Sequence, residues 1–567
     1  MVVFTTAIRG ANIPEWAKGG RIAGLSIQSN ADALTIESAV ARLKDQNVSI
    51  VELDTSLSRY WSDEEFQNEV LFIGQVTDAI HAAGMKVVVY YPALEVLTPD
   101  GETNPRSAAK DYPEWLQIGI NGESNVFYGS QEDWVPPGGE SAWMSPNSGY
   151  RNYFISRVKK LATETGLDGI WIDVPLYLDT GSPWSDMSPN AKIAYENWSQ
   201  LQGYNNGLGY TLPTVADISD LNFRMWLEWR HINLAEFIEE VRTESILSNP
   251  NWLFVAEVYP MDYLDTLWTG LDGARLQSQD KWIRVWEVDS VSNGMAMKYA
   301  HVEDVSNRIA MYKYARGVDR NTPSWGFTYG FEVPDAGLGI GAAIATKTIP
   351  FETKTPIMTE SVDGNMRKQW YGFIKDREDA LFKTERLSRV GVWFSSPTRE
   401  YYDYSQGGKY GMFLQEQPPV EDPEWWAQFV GASLIKLPHV SAWRGAAHGL
   451  HQLGIPYKCV VDPALPSDLD ELEVLWLPSV VCLSEEKATD IKNFVEAGGT
   501  VIATGLLPGT SDEFGSPRSQ SVLDELFQFG GNPVSKARLM EYGLGAAIYR
   551  PDIISSALFT LEGGNVS

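Results

Sequence analysis

Short apolar runs rich in β-branched residues alternate with amphipathic helical stretches along the first two thirds of this chain. This alternation is typical of a parallel sheet, because each strand needs a crossover helix before the next parallel strand. Strands are predicted at 22–28, 48–54, 85–93, 167–175, 251–259, 281–290 and 322–330, with an eighth within GLGIGAAIATKTIPF. We therefore predict an α/β fold that opens with a (β/α)8 TIM barrel over residues 1–385. That length exceeds the ~250 residues of a typical barrel, so long loops are expected after the strands.

A second series of strands begins near residue 387. The segments RLSRVGVWFSS, LPHVSAWRGAAHGLHQLGIPYKCVVD, EVLWLPSVVCLS and KATDIKNFVEAGGTVIATG follow the order β-α-β-β-α-β with short connections. This order predicts a compact flavodoxin-like domain over residues 386–567. A dinucleotide-binding sheet at the start of the chain is disfavoured, because no GxGxxG turn follows the first strand.

The charge of the chain excludes several kinds of partner. It has 74 acidic and 45 basic residues, a formal net charge of −29, which disfavours binding to nucleic acid. Only two cysteines and six histidines are present, without an HExxH motif, so neither a metal nor another cofactor is predicted. No run of about 20 apolar residues and no signal-like start occurs, which predicts a cytoplasmic chain away from membranes. A secreted chain trimmed of its signal would look the same.

Acidic residues at the ends of barrel strands are the candidates for chemistry, because strand ends meet in one pocket. They are Asp54, Asp173, Glu257, Glu287 and Asp289. Asp173 follows the apolar run GIWI and precedes a Val-Pro turn, and Glu257 ends the next strand among apolar residues. Such surroundings raise the pKa of a carboxyl group, as a general acid requires. The alternative for Glu257 is an ion pair with Arg224 or Arg230, and Glu287 is its rival as the acid.

Aromatic residues lie near the same strand ends, where their faces could pack on sugar rings. The predicted sugar-contacting residues are Trp61, Tyr91, Trp143, Tyr259 and Trp325, with Asp54 and Asp289, while Tyr60 and Tyr329 lie nearby and Tyr90 and Trp171 are assigned to core packing. Paired carboxylates with aromatic platforms predict a glycoside hydrolase that acts on an oligosaccharide or glycoside. A carbohydrate-binding barrel without catalysis is the alternative.

The segment from Tyr150 to Pro175, with LDGIWIDVP, resembles the fourth unit of α-amylase-like and α-fucosidase-like barrels. LFVAEVYP resembles the fifth strand of the amylase group. The resemblance implies that Asp173 is the nucleophile, that Glu257 is the acid/base and that the enzyme is retaining and α-directed. Amylase-type enzymes carry an Arg where Trp171 stands. A separation of about 5–6 Å is expected for this pair, whereas Glu287 as the acid, at about 6.5–9.5 Å from Asp173, would predict inversion.

HGLHQLGIPYKCVVD, LEVLWLPSVVCLS and VEAGGTVIATG resemble the trimerisation domain of family 42 β-galactosidases, an amidotransferase-like fold. This resemblance implies a non-catalytic second domain and a homo-oligomer, a trimer. Cys459 and Cys482 are expected to be buried thiols. No Gly-x-Cys-x-Gly turn surrounds Cys482, so a thiol nucleophile is not predicted. The whole chain resembles glycosyl-hydrolase-like barrels that join an amylase-type part to this domain.

Overall fold

The computed structural model describes twelve stretches of the chain. They are residues 13–130, 135–178, 182–258, 265–276, 281–287, 302–328, 333–352, 361–384, 387–406, 437–462, 468–530 and 536–552. None of the helices within these stretches combines the length and the hydropathy needed to cross a bilayer.

Eight parallel strands close into a barrel in the first part of the chain, which confirms the predicted (β/α)8 architecture. The strands up to residue 352 are β1 (Ile22–Ser26), β2 (Ile50–Asp54), β3 (Lys86–Pro92), β4 (Glu95–Thr98), β5 (Val126–Tyr128), β6 (Glu140–Trp143), β7 (Gly169–Asp173), β8 (Leu253–Val258), β9 (Ile283–Glu287), β10 (Ser324–Thr328) and β11 (Ile349–Glu352). The order around the barrel is β1-β2-β3-β7-β8-β9-β10-β11, while β4, β5 and β6 form a separate antiparallel sheet. Each barrel strand lies within its predicted segment, except that β11 extends one residue beyond its segment.

Helices surround the barrel and connect its strands. They are α1 (Ala33–Asp45), α2 (Asp63–Ala82), α3 (Ala108–Asp111), α4 (Tyr150–Glu164), α5 (Pro189–Leu201), α6 (Leu221–Ser248), α7 (Asp265–Thr269), α8 (Val302–Asp319), α9 (Val333–Ala345), α10 (Ser361–Lys375) and α11 (Glu378–Phe382). Local capping explains several starts: Ser62 and Glu65 form a capping box at α2, and Asp32 accepts from the Thr35 N–H at α1. The Gly-rich segment around 337–342 lies within α9.

Alternate residues of each barrel strand point inwards, so one set of positions builds the barrel interior. An apolar cluster at these positions fills the interior and includes Ile22, Ile50, Val88, Trp171, Leu253, Val255, Ile283, Val285, Trp325, Phe327, Ile349 and Phe351. Towards the carboxyl ends of the strands the same alternation continues into Asp54, Asp173 and Glu257. The change from apolar to acidic residues takes place at the carboxyl ends of the strands, the face that carries the active site in TIM-barrel enzymes.

Two long insertions leave the carboxyl ends of barrel strands and account for the length of this part of the chain. The first lies between β3 and α4 and contains the three-stranded sheet β4-β6-β5. The second spans residues 174–220 between β7 and α6 and contains α5. Its aromatic side chains, including Trp184 and Tyr195, pack with Trp226 and Trp229 of α6. These two insertions thus surround the carboxyl face of the barrel.

A six-stranded sheet follows the barrel. Its strands are β12 (Val390–Phe394), β13 (Lys458–Val461), β14 (Val474–Pro478), β15 (Thr500–Thr504), β16 (Arg538–Tyr542) and β17 (Gly545–Arg550), and its helices are α12 (Pro438–Gln452), α13 (Glu485–Glu496) and α14 (Asp524–Phe527). The order is β13-β12-β14-β15-β17-β16, in which only the β16–β17 pairing is antiparallel among the described strands. The predicted β-α-β-β-α-β segments correspond to β12, α12, β13, β14, α13 and β15.

The six-stranded sheet packs directly against the barrel. Helix α8 lies on edge strand β13, where a Cβ at Gly317 would come 2.5 Å from the Cys459 carbonyl oxygen, so a side chain does not fit there. Lys313 Nζ donates to the Tyr457 carbonyl oxygen at 2.8 Å. Apolar residues of α8 and of β12 belong to one buried cluster. The two parts of the molecule therefore share a core.

Candidate active site

Asp173 is the last residue of β7, and the backbone after it is strained. Val174 has φ +42°, in the left-handed region that β-branched residues avoid. This turn directs the Val174 N–H back to Asp173, whose Oδ1 accepts it at 2.9 Å. Strained residues of this kind cost about 1–3 kcal/mol and cluster at functional sites, where the surrounding structure holds them in place.

Glu257 ends the inward-facing set on the neighbouring strand β8 and is 1% exposed. Its Oε2 accepts from the same Val174 N–H at 2.9 Å. Because both carboxylates lie 2.9 Å from one nitrogen, their two oxygens are less than about 6 Å apart. The structure thus brings together the two acids that the sequence predicts as a pair.

Tyr90 of β3 supplies a second donor to Asp173. Its hydroxyl donates to Asp173 Oδ2 at 2.5 Å, so each oxygen of the Asp173 carboxylate accepts one hydrogen bond from a neutral group. The sequence predicts that Tyr90 packs in the core. This prediction holds for its ring, which packs on Trp171, but is wrong for its hydroxyl, which donates to Asp173. Trp171 does pack in the core, edge-on to Tyr90 with 5.0 Å between ring centroids.

Two further acids lie close to Tyr90. Burial raises the pKa of the Tyr90 phenol well above its usual range, and the charges of Asp173, Asp54 and Glu95 add to the effect. Asp54 is the last residue of β2 and is partly exposed, while Glu95 begins β4 and accepts from the Ser141 hydroxyl at 2.7 Å. The pocket is therefore strongly acidic, and the phenol within it stays protonated.

The structure describes the backbone of Glu287, the rival of Glu257 as the acid, but it does not describe two of the predicted sugar-contacting residues. Glu287 is the last residue of β9, in the same alternating set as Ile283 and Val285, and it pairs with Phe327 in the backbone register. Tyr259 and Asp289 lie outside the described residues, as does Tyr329.

Three of the predicted sugar platforms are wrong. Tyr91 faces away from the barrel interior, is 6% exposed and packs on Phe154 of α4 with 4.9 Å between centroids. Trp143 ends β6 and is 4% exposed, which leaves no ring face for a ligand. Trp325 is fully buried near the start of β10, and its indole N–H donates to the Ala17 carbonyl oxygen at the opposite end of the barrel.

Trp61 lies at the rim of the carboxyl face, just before α2, and is partly exposed. Its indole N–H donates to the Ser56 carbonyl oxygen at 2.8 Å, and the Arg59 guanidinium lies 5.8 Å from its ring. The neighbouring Tyr60 hydroxyl donates to Asp111. Among the predicted platforms within the described residues, Trp61 is the one whose side chain is partly exposed.

The chain after β8 is held by side chains of α6. Arg230 donates to the Leu267 and Trp268 carbonyl oxygens, and His231 Nδ1 lies 2.8 Å from the Gly270 carbonyl oxygen. Arg224, the other arginine considered as a partner of Glu257, donates to the Ile218 and Ser219 carbonyl oxygens instead. These arginines thus position loops of the carboxyl face.

A second set of buried acids joins these loops to the six-stranded sheet. Arg275 contacts Glu228 of α6 at 2.8 Å and Glu400 at 2.7 Å, and Arg399 contacts Asp272 at 3.4 Å and Glu400 at 2.7 Å. We call these five residues the arginine cluster. Burial alone would raise the pKa of Glu400, but Arg275, His231 and Arg399 outweigh it and hold that pKa well below its usual range. The cluster was not predicted from the sequence.

The thiols of the second part of the chain are free and buried, as predicted. Burial raises the pKa of the Cys482 thiol well above its usual range, whereas a nucleophilic thiol needs a lowered pKa. His439 is committed elsewhere: its Nε2 accepts from the Ser395 N–H at 2.8 Å and its Nδ1 lies 2.7 Å from the Pro478 carbonyl oxygen. These contacts give no support to thiol chemistry at Cys482.

Two features of the site were missed but had a signal in the sequence. Tyr90 lies two positions beyond Val88 in β3, so the alternation that fills the interior also turns Tyr90 inwards. Glu52 precedes Asp54 by two positions in β2 and is 1% exposed in the same interior. Counting inward positions along each strand would have selected both residues.

No family model matches the sequence, and no curated protein matches it significantly. Solved structures do match the fold. The β-galactosidase from Bacillus circulans sp. alkalophilus has a TM-score of 0.65 at 12% identity, over 97% of this chain and 88% of that one. The β-galactosidase from Halorubrum lacusprofundi has a TM-score of 0.65 at 12% identity, over 96% and 89%. The α-L-fucosidase isoenzyme 2 from Paenibacillus thiaminolyticus has a TM-score of 0.56 at 15% identity, over 94% and 71%. These values show a shared fold that extends over barrel and second sheet.

Proposed function

We propose that this chain is a glycoside hydrolase that cleaves O-glycosidic bonds with retention of configuration. The observation that carries the proposal is the shared Val174 N–H, which keeps one carboxylate oxygen of Asp173 and one of Glu257 within about 6 Å of each other. Retaining glycosidases hold their two carboxyl groups about 5–5.5 Å apart. This distance leaves no room for a water molecule between the carboxylate and the sugar, so the carboxylate itself attacks the anomeric carbon. The fold it shares with β-galactosidases and an α-L-fucosidase supports a carbohydrate substrate.

In the proposed first step an Asp173 oxygen attacks the anomeric carbon, and the bond from that carbon to the leaving oxygen breaks as Glu257 donates its proton. The product alcohol leaves, and the sugar remains bound to Asp173 through an ester. In the second step Glu257 takes a proton from water, the hydroxide attacks the anomeric carbon, and the bond to Asp173 breaks. Two inversions at one carbon give net retention.

The acidity of the pocket suits this division of roles. Asp173 accepts from both the Tyr90 O–H and the Val174 N–H, and hydrogen bonds to a carboxylate favour its charged form. Glu257 is nearly inaccessible to water, which disfavours a charge. We therefore assign the proton of the pair to Glu257, as the mechanism requires of a general acid.

We further propose an α-directed enzyme, because an Asp at the fourth barrel strand and a Glu at the fifth resemble the amylase-type arrangement.

We also propose that the chain divides into a barrel over residues 1–385 and a second domain over residues 386–567. The parallel order β13-β12-β14-β15 supports a flavodoxin-like, amidotransferase-like domain, and its likeness to the trimerisation domain supports a homotrimer. Light scattering at micromolar concentration tests this, because a monomer would contradict it.

The function is tested with a panel of aryl α- and β-glycosides that begins with galactosides and fucosides, the substrates in the names of the structural neighbours. Proton NMR of the first-formed product reads its anomeric configuration. Retention is expected. An inverted product would overturn the pairing and favour Glu287 as the acid. Binding of sugars without turnover of any glycoside would instead favour a carbohydrate-binding barrel.

A further inference from the structure

Tyr90 is fixed in place by its surroundings in the barrel. It lies on β3, one inward position above Val88, and its ring packs edge-on against Trp171 at 5.0 Å. Trp171 is itself wedged between Phe327 and Phe351, with centroids 5.4 and 5.1 Å away. These contacts leave the ring of Tyr90 little freedom, so its hydroxyl is held at one point beneath the two carboxylates.

That point lies at Asp173 Oδ2, to which the hydroxyl donates at 2.5 Å. The other oxygen of the same carboxylate accepts from the Val174 N–H at 2.9 Å. Two donors from different strand ends define the rotation of the Asp173 carboxylate about its last bond. The Val174 N–H also donates to Glu257, whereas the Tyr90 hydroxyl donates to Asp173.

The charges around this hydrogen bond oppose ionisation of Asp173. Asp54 from β2, Glu95 from β4 and Glu257 from β8 face the same space, and Glu52 lies one inward position lower in β2. The charges of Asp54 and Glu95 favour the protonated form of Asp173, as a charge on Glu257 would, so a donor is needed to offset them. A phenol suits this role, because the same negative charges and burial keep it from losing its own proton.

We propose that Tyr90 is the positioning residue of the pair: its hydroxyl fixes the Asp173 carboxylate in one rotation and keeps it ionised, which leaves the shared proton on Glu257. This inference rests on the proposed function, since it assigns the nucleophile and the acid of that reaction. Beyond that function, it names Tyr90 as the group that keeps Asp173 ionised while Glu257 holds the proton.

The test is Tyr90→Phe, which removes one oxygen and keeps the ring. Tyr91→Phe is the matched control, because Tyr91 is the next residue of the same strand and packs outwards on Phe154. The pH profile of kcat/KM is measured for both variants and for the unaltered protein. A hydrogen bond to a charged group is worth enough to move a titration by about one to two pH units. The acid limb of Tyr90→Phe is therefore expected about one to two pH units higher, with an unchanged profile for Tyr91→Phe.

Carbon-13 NMR separates this inference from the proposed function. Side-chain carboxyl groups of Asp are labelled, and the Asp173 signal is identified by its loss in Asp173→Asn. The Asp173 titration is expected to move upwards by the same amount in Tyr90→Phe, whether or not a substrate is known. If the titration midpoint is the same in Tyr90→Phe as in the unaltered protein, the inference is wrong. If the midpoint moves but no glycoside is hydrolysed, the inference stands and the proposed reaction fails.

Discussion

Two groups of carboxylates in the described part of the molecule differ in the side chains and backbone groups that hold them. Asp173 and Glu257, which we call the strand-end pair, accept from the Val174 N–H and the Tyr90 hydroxyl. In the arginine cluster, Asp272 and Glu400 contact guanidinium groups at 2.7–3.4 Å. Neutral donors orient a carboxylate without cancelling its charge, whereas a guanidinium neutralises it.

Under the proposed function, the strand-end pair carries out the chemistry, whereas the arginine cluster connects the barrel to the six-stranded sheet. Glu400, buried beside Arg275 and Arg399, has a lowered pKa and therefore stays ionised. Two carboxyl groups this close disfavour the ionisation of both, so the strand-end pair favours one shared proton. The account therefore predicts that changes in the strand-end pair affect turnover and changes in the arginine cluster affect stability.

The largest effect is expected from Asp173→Asn. The amide keeps the shape, and its single oxygen can accept from the Tyr90 hydroxyl or from the Val174 N–H but not from both, and it cannot attack carbon. Turnover should fall by about a thousandfold or more, while the melting temperature stays close to that of the unaltered protein. Steady-state kinetics and a thermal melt measure the two quantities. Activity within tenfold of the starting protein would remove Asp173 from the mechanism.

Glu257→Ala should discriminate between leaving groups. Without the acid, substrates with poor leaving groups should lose about 10²–10⁴-fold in rate, while aryl glycosides with good leaving groups lose much less in the first step. Added azide should restore turnover of activated substrates by attacking the glycosyl ester in place of water. Rescue by azide in Glu287→Ala and not in Glu257→Ala would transfer the acid role to Glu287.

Glu400→Gln should have the opposite signature. The change removes a negative charge from between Arg399, which is fully buried, and Arg275, which is largely buried, and this costs about 3–5 kcal/mol of unfolding free energy. Turnover per folded molecule should change little. The control is Asp379→Asn in an exposed pair with Lys383, for which no measurable change is expected. If the Glu400→Gln protein is as stable as the control, the arginine cluster does not stabilise the contact between the barrel and the six-stranded sheet.

The smallest effect concerns Asp403, whose buried carboxylate accepts from the His439 and Val440 N–H groups that begin α12. Burial raises its pKa to about 7. The folded protein therefore binds a proton that the unfolded chain has already lost, and this stabilisation disappears between pH 4 and pH 7. From pH 5 to pH 8 the unaltered protein should lose about 3 kcal/mol relative to Asp403→Asn. Denaturant titrations of both proteins at the two pH values measure this, and parallel pH dependence would contradict it.

The histidines of the same region do not disturb that comparison. Burial lowers the pKa of His439 and His451 to about 4 and that of His448 to about 3. Groups with a lowered pKa bind fewer protons in the folded state, so they make the protein more stable as the pH rises from about 4 to 6.5. Their contribution is the same in both proteins and cancels in the difference.

The barrel was predictable because burial on both faces of a parallel strand leaves a local pattern of apolar residues. Strands β1 to β3 and β7 to β10 fall within their predicted segments for this reason, and β11 exceeds its segment by one residue. Asp173 and Glu257 were predictable as well, since strand ends converge. The three-stranded sheet β4-β6-β5 was missed, because it arises within an insertion and its strands are three or four residues long.

The errors at the site have two physical sources. Neighbouring residues of a strand face opposite sides, so an uncertainty of one position exchanges Tyr90 for Tyr91. Trp325 lies on an inward position, but near the start of its strand, where the barrel interior is packed from below. The arginine cluster could not be predicted, because Glu228, Asp272 and Glu400 are far apart in the chain and ion pairs leave no local pattern.

The most direct test of the account is to trap the ester that retention requires. A fluorinated glycoside with a good leaving group is incubated with the protein, the chain is digested, and the modified peptide is sequenced by mass spectrometry. The account predicts a single glycosyl group on the peptide that contains LDGIWIDVP, attached to Asp173, and no label in Asp173→Asn. A glycosyl group on Glu257 or Glu287 in place of Asp173 would contradict the account.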